Sequence, residues 1–246
     1  MRTLVIGDIH GGLKALKQVL QQIELSTKDQ FIFLGDYVDG WSECAETVSF
    51  LIHFSETYSC VFLRGNHDDL FYDYLKHGIA KTMWLQHGGK SSKKSYDALL
   101  ETDIDGTIKE KHLHFFENLE NYYIDSENRL YCHAGFTHHN GPEFEFYSNT
   151  TYWDRSLWEM VCAMDKSLSA NDKKYPKRLQ LFKEIYIGHT STTRIGKTTP
   201  VNFASVWNID TGAAFKGPLS MIDVDSKEYW QSEPVWELYP EEMGRN

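Results

Sequence analysis

The chain lacks any apolar run approaching the ~20 residues that a membrane-spanning helix needs, so no membrane role is expected. Its opening stretch, Met1-Arg2-Thr3-Leu4-Val5-Ile6-Gly7, has neither an extended apolar core nor a small-residue cleavage site. It reads as a strand, not as a secretory leader. An excess of basic charge is also missing: 25 Lys and Arg stand against 35 Asp and Glu, for a net charge of −10. A protein that coats nucleic acid needs a basic face, because phosphate contacts dominate that affinity, so this class is excluded. The small cluster Lys90, Lys93 and Lys94 reads as the solvated start of a helix. The cysteines are Cys44, Cys60, Cys132 and Cys162, and they lack the spacing of a metal site. Cys60 and Cys132 lie inside apolar runs and read as buried reduced thiols, which suits a cytoplasmic location. Repeats, low complexity and linkers are absent, so residues 1–246 are expected to form a single domain.

What the chain does have is a recurring unit. Thr3-Leu4-Val5-Ile6 is a short apolar strand of the kind covered on both faces. It ends in Gly7-Asp8-Ile9-His10-Gly11-Gly12, and a helix bearing Leu13, Leu16, Leu20 and Ile23 follows. Gln30 to Leu34 repeats the plan and ends in Gly35-Asp36-Tyr37-Val38-Asp39-Gly40. Ser42 is expected to cap the next helix. Cys60 to Leu63 ends in Arg64-Gly65-Asn66-His67-Asp68, ahead of a third helix. This is a parallel α/β start, in which ligands gather beyond the carboxyl ends of the strands. Residues 78–121 change character and read as a helical insertion flanking the site. His87, His112 and His114 within it read as structural or solvated. Strands resume and deliver His133 after Cys132 and His189 after Ile187. A polar loop and a helix carrying Trp153 and Arg155 lie between them. The runs from Val206 to Trp230 suggest an antiparallel sheet closing a second layer.

Five strand ends therefore present Asp8 and His10, Asp36 and Asp39, Asn66 and His67, His133, and His189. These donors suit a pair of divalent ions ~3.5–4 Å apart. Asp36 would bridge them, with Asp8 and His10 completing one shell and Asn66, His133 and His189 the other. A bridging hydroxide would be the nucleophile. His67 is then free to protonate a leaving group, with Asp39 orienting it.

The segments Gly7-Asp8-Ile9-His10-Gly11, Gly35-Asp36-Tyr37-Val38-Asp39, Gly65-Asn66-His67-Asp68, His133-Ala134-Gly135 and Gly188-His189-Thr190 resemble the motif set of calcineurin-like metallophosphoesterases. Within that family the chain looks most like the bacterial and phage-type serine/threonine protein phosphatases, from about Arg2 to Val224. The resemblance implies an α/β (α+β) four-layer fold, a central β-sandwich flanked by helices. It also implies Mn²⁺ as the usual activating ion, with iron or zinc as alternatives. Carried over, it assigns metal contacts to Asp8, His10, Asp36, Asn66, His133 and His189. The acid is His67 and its partner Asp39. Arg155 falls where the family has a phosphate-binding arginine, and Asn66 also serves the substrate phosphate. One departure stands out: the second motif usually continues Val-Asp-Arg-Gly, but here it reads Val38-Asp39-Gly40-Trp41. The lost arginine would have gripped the substrate phosphate; Arg155, Arg64 and Arg194 are candidates to compensate. Trp41 is read as a packed or exposed loop aromatic, or as a stacking platform.

The implied activity is hydrolysis of a phosphorylated protein as a serine/threonine-type phosphatase. The departure keeps open a diadenosine-tetraphosphatase-like or phosphodiesterase activity on a nucleotide. A metal-binding module without catalysis is the third reading, and the retention of Asp39 and His67 argues against it.

Overall fold

The computed structural model describes residues 1–245. Two five-stranded sheets stack face to face. In the first, β1 (Thr3–Ile6), β2 (Gln30–Phe33) and β3 (Ser59–Phe62) run parallel, and β9 (Pro218–Asp223) and β10 (Tyr229–Pro234) extend it beyond β1, in the order β10-β9-β1-β2-β3. In the second the order is β4-β5-β6-β8-β7. Its parallel centre is β5 (Arg129–Cys132), β6 (Glu184–Ile187) and β8 (Val206–Asn208). Its antiparallel edges are β4 (Tyr122–Ile124) and β7 (Val201–Phe203).

Side chains alternate across a strand, and here both faces are buried. Val5 and Ile32 point into the sandwich, whereas Leu4, Ile6, Phe31 and Phe33 pack under helices on the outer face. The second sheet mirrors this, with Tyr131 and Tyr186 inside and Leu130, Cys132, Ile185 and Ile187 outside. Tyr131 and Tyr186 stack with centroids 5.2 Å apart. Double coverage is why these strands read as unbroken apolar runs. The outer layers are α1 (Leu13–Gln21), α2 (Cys44–Ser55) and α3 (Asn66–His77) on one side and α6 (Ser156–Ala163) on the other. The fold is thus the expected four-layer sandwich. Between α3 and β4 lie α4 (Lys90–Thr102) and α5 (Thr107–Glu117). Among the described residues, no helix is long and apolar enough to cross a membrane.

Three local expectations are corrected. The last strands, β9 (Pro218–Asp223) and β10 (Tyr229–Pro234), do not close the second layer; they extend the first sheet, with β9 antiparallel to β1. The second sheet is mixed because β5, β6 and β8 are joined by long crossovers. Ser42 does not cap α2, which begins at Cys44. Its backbone N–H and hydroxyl instead donate to the Glu242 carboxylate, at 2.9 and 2.6 Å. Arg155 does not ride on a helix. It occupies the junction between a one-turn helix, Thr150–Trp153, and α6.

Candidate metal centre and cleft

The parallel strands of both sheets end at the same edge of the sandwich, and the turns after them are interlocked. The backbone N–H groups of Ile9 and His10 donate to Asp36 O at 3.1 and 2.8 Å. That of Gly11 donates to Tyr37 O at 2.8 Å. The turn after β3 is tied in through Asp68. Its buried carboxylate accepts from the backbone N–H of Asp36, Tyr37 and Gly65, at 2.7, 2.8 and 2.8 Å. Asp68 was not singled out as a site residue in the sequence, yet it fixes where Asp36 sits. Gly65 is required by close approach: a Cβ there would lie 2.1 Å from Asp36 Oδ1. The backbone is strained at the same place. His10, Asp36, Asp39 and His189 all adopt positive φ, of 52°, 55°, 66° and 66°. Left-handed conformations at residues with a Cβ cost about 1–3 kcal/mol each and cluster at functional sites.

All six candidate ligands come together. Asp8, His10 and Asp36 form one group with ligand atoms within 4.8 Å of one another; Asp36, His133 and His189 form a second. Asp36 belongs to both, as the bridging role requires. Its Oδ2 lies 3.4 Å from His10 Nε2 and 3.4 Å from His133 Nε2. Asn66 Oδ1 lies 3.3 Å from His133 Nε2 and 2.8 Å from His189 Nδ1. The rings are oriented from behind. His133 Nδ1 donates to Leu34 O at 2.8 Å, and His10 Nδ1 faces Asp39 O at 2.8 Å, so each Nε2 is presented inward. His189 Nε2 is buried with no hydrogen-bond partner. The His189 nitrogen that faces the cluster is Nδ1, and this convergence of imidazole nitrogens, an amide oxygen and the shared Asp36 carboxylate is a donor set that suits a divalent cation.

The electrostatics agree. Asp8, Asp36, Asp39, Asp68 and Asp210 are all buried here, with His10, His67 and His133. Burial raises the Asp8 carboxyl well above its usual range, reinforced by the neighbouring charge of Asp210. Burial also opposes ionisation of Asp36, but the imidazoles of His133 and His67 overcome it and hold Asp36 well below the usual range. Burial would depress His133, yet the carboxylates of Asp36 and Asp8 push it up to about 10. His10 is pushed down to about 3, first by burial. Such a concentration of buried acids favours cationic partners: protons, or divalent ions in their place.

Beside the ligand cluster, His67 Nδ1 donates to Asp39 Oδ2 at 2.9 Å. This leaves Nε2 for the cleft, which His67 lines. Asp39 is fully buried and gripped from the helical segment after α3. Trp84 Nε1 donates to Oδ2 at 2.8 Å, and Ser92 Oγ donates to Oδ1 at 2.5 Å. Neither partner lies in a motif, so nothing local in the sequence marks them. Replacing Trp84 with Phe keeps an aromatic ring of smaller volume and deletes the N–H. A hydrogen bond to a charged group is worth ~1.5–3 kcal/mol, so kcat is expected to fall about tenfold or more with metal content unchanged. Steady-state kinetics with parallel elemental analysis checks this.

The cleft above these groups has a volume of about 220 Å³ and is lined by Asp36, Asn66, His67, His189 and Arg155. Leu70, Met83 and Trp153 form an apolar wall, and His87 and Arg245 complete the rim. The guanidinium of Arg155 is exposed, and among the described residues it has no carboxylate within ion-pair distance. Partial desolvation, then the charges of Arg194 and Arg245, lower its pKa. Of the other proposed compensators, Arg64 is spent on Phe116 O at 2.8 Å and on Asp69 at 3.7 Å. Arg194 stands on an adjacent turn outside the lining. Trp41 is no platform: it is fully buried, with Nε1 donating to Ala213 O at 2.8 Å. His112 is a packed histidine between Ser49 and Tyr96, each 2.9 Å away.

A sandwich with two ligand groups sharing one carboxylate, open to a cleft with a buried Asp–His pair, is an arrangement that suits a metal-dependent phosphate hydrolase. Comparison with known proteins gives the family. The calcineurin-like phosphoesterase family matches residues 1–196, and the chain belongs to it, a hydrolase of phosphoesters. Among curated proteins it resembles the asymmetrical bis(5'-nucleosyl)-tetraphosphatase PrpE of Oceanobacillus iheyensis. The identity is 22% over 241 residues, covering 93% of this chain and 91% of that one. Among solved structures it resembles a provisionally assigned diadenosine tetraphosphatase, with TM-score 0.60, 16% identity, and 94% and 92% coverage. It also resembles a protein serine/threonine phosphatase of Saccharomyces cerevisiae, with TM-score 0.57, 15% identity, and 95% and 80% coverage. A cold-active protein-tyrosine phosphatase of a psychrophilic Shewanella shares the fold at TM-score 0.55 and 12% identity, with 94% and 80% coverage.

Proposed function

We propose that this protein is a binuclear-metal phosphomonoesterase acting on phosphorylated serine or threonine. The observation that carries the reading is the pair of ligand groups joined at Asp36, with the His67–Asp39 pair opening onto the same cleft. Asp8, His10 and Asp36 would hold one ion, and Asp36, Asn66, His133 and His189 the other. Two divalent ions, Mn²⁺ by family resemblance, would supply an acidified water as nucleophile and neutralise charge on the phosphoryl oxygens. The chain's own groups do the rest. Arg155 and the Asn66 side chain orient the phosphate. His67 delivers a proton from Nε2 to the departing alkoxide, a leaving group too basic to leave unprotonated. Asp39 stabilises the imidazolium before transfer and fixes its ring, itself held by Trp84 and Ser92. A cytoplasmic location fits the four free cysteines.

A second reading is hydrolysis of a dinucleoside polyphosphate. The apolar wall of Leu70, Met83 and Trp153 favours it, because a base can stack there, and so does the full-length likeness to a nucleosyl-tetraphosphatase. One substrate panel separates the two. The Mn²⁺-loaded protein is expected to hydrolyse a phosphoserine peptide and 4-nitrophenyl phosphate with higher kcat/KM than diadenosine tetraphosphate. A preference above tenfold for the dinucleotide would reverse the assignment.

A further inference from the structure

The cleft contains a second guanidinium that no sequence motif announces. Arg245 lines the same cavity as Asp36, His67 and Arg155, although it lies more than 200 residues from Asp36. Its approach to the cleft is built in several steps. At Gly40, where relatives of the protein-phosphatase type carry arginine, a Cβ would lie 2.7 Å from His10 O and 2.9 Å from His10 Cβ. That position has no room for any side chain. The residues after it have become a dock instead. Trp41 is buried, stacks on Tyr239 with centroids 5.3 Å apart, and donates to Ala213 O. Ser42 holds the Glu242 carboxylate through two hydrogen bonds. The chain then passes against the Trp41 ring at Gly244. Here φ is 59°, and a Cβ would come within 2.7 Å of Trp41 Cζ2. One residue later, the Arg245 N–H donates to Ala214 O at 2.9 Å. The Arg245 guanidinium carbon lies 5.4 Å from the Phe215 ring centroid. No carboxylate among the described residues lies within ion-pair distance of it. Its charge is felt electrostatically at His10, Arg155 and Asp210. Two unpartnered guanidinium groups facing one cavity repel each other, and an anion between them removes that cost.

We propose that Arg245 is a substrate-phosphate ligand, carried to the cleft by a segment docked on Trp41 and Ser42 in place of the arginine that Gly40 cannot bear. The loop following Asp39 thus exchanges a direct contact for a supporting one. With Arg155, the cleft regains two guanidinium groups, which suits the dianionic phosphate of a monoester over the monoanion of a diester. The inference rests on the phosphatase reading above and names a further binding residue for it.

The test uses the Mn²⁺-loaded full chain as wild type, Arg245→Ala, Arg245→Lys and Glu242→Ala. Inorganic phosphate affinity is read by calorimetry, and kcat and KM with 4-nitrophenyl phosphate. Metal content and melting temperature are measured for each. Arg245→Ala is expected to weaken phosphate binding and raise KM by about 10- to 100-fold, the worth of a charge-assisted hydrogen bond, with two ions retained. Arg245→Lys should recover part of the loss, and Glu242→Ala should show a smaller loss in the same direction. Phosphate affinity within twofold of wild type in Arg245→Ala would overturn the inference and leave the hydrolase intact. Loss of metal in Arg245→Ala, with Arg245→Lys normal in both metal and phosphate affinity, would also overturn it, by making the residue a prop for the metal centre. A wild type that binds phosphate yet turns over no phosphate ester would sink the phosphatase reading itself.

Discussion

Asp36→Asn is expected to lower kcat by about 10³-fold or more, because metal stabilisation of the transferred phosphoryl group is worth several kcal/mol. It should also reduce bound metal below one ion per chain. The substitution is nearly isosteric, and the amide can still accept the His67 N–H that Asp36 Oδ1 accepts at 2.9 Å. It cannot serve two ions at once. Asp36 is the one residue common to both ligand groups, and the imidazoles of His10 and His133 both approach its Oδ2. An amide there replaces a shared anion with a neutral group of weaker donor strength, and it offers an N–H where a lone pair is needed. Neither His10 with Asp8, nor His133 with His189 and Asn66, then retains a bridging anion. Asp8→Asn should be milder, since it touches only one group. Elemental analysis after dialysis, alongside turnover of 4-nitrophenyl phosphate, reads both effects.

His67→Asn should separate proton transfer from metal binding. The residue belongs to neither ligand group, so two ions are expected to remain. General acid catalysis is worth ~10²–10⁴-fold, and kcat should fall within that range for a phosphoserine peptide, with KM little changed. The loss should shrink for 4-nitrophenyl phosphate, whose leaving group departs without a proton. This dependence on leaving group distinguishes an acid from a residue that merely fills space. Asp39→Asn should follow the same pattern more weakly. An amide would still bond to the ring but would not stabilise the imidazolium, and it would disturb the bonds from Trp84 and Ser92.

The strand-and-turn plan was readable because double-sided burial writes itself as short apolar runs, and because each run ends in the same small set of residues. Asp8, His10, Asp36, Asn66, His133 and His189 were recognisable for that reason, and the structure brings them to one edge. What escaped was everything held by contacts with no local period. Trp84 and Ser92 reach Asp39 across 45 and 53 residues, and neither spacing nor residue type marks them. Asp68 looked like part of a turn and proved to be the tie joining the second and third turns. From sequence, Ser42 reads as a helix cap and Trp41 as a loop aromatic, packed or exposed, or a stacking platform. They are buried against, or bonded to, a segment some 200 residues on. The positive φ values at His10, Asp36, Asp39 and His189 are only weakly signalled, because Asp and His are enriched in the left-handed region yet most of them lie elsewhere. The placement of β9 and β10 beside β1 is not legible in the sequence, because alternation reports a half-buried face, not the neighbour that covers it.

The most direct test is anomalous diffraction from crystals of the Mn²⁺-loaded protein. Two peaks ~3.5–4 Å apart are expected, each within coordination distance of an Asp36 carboxylate oxygen, with Asp8 and His10 on one and Asn66, His133 and His189 on the other. A single ion, or two ions that do not share Asp36, would contradict it.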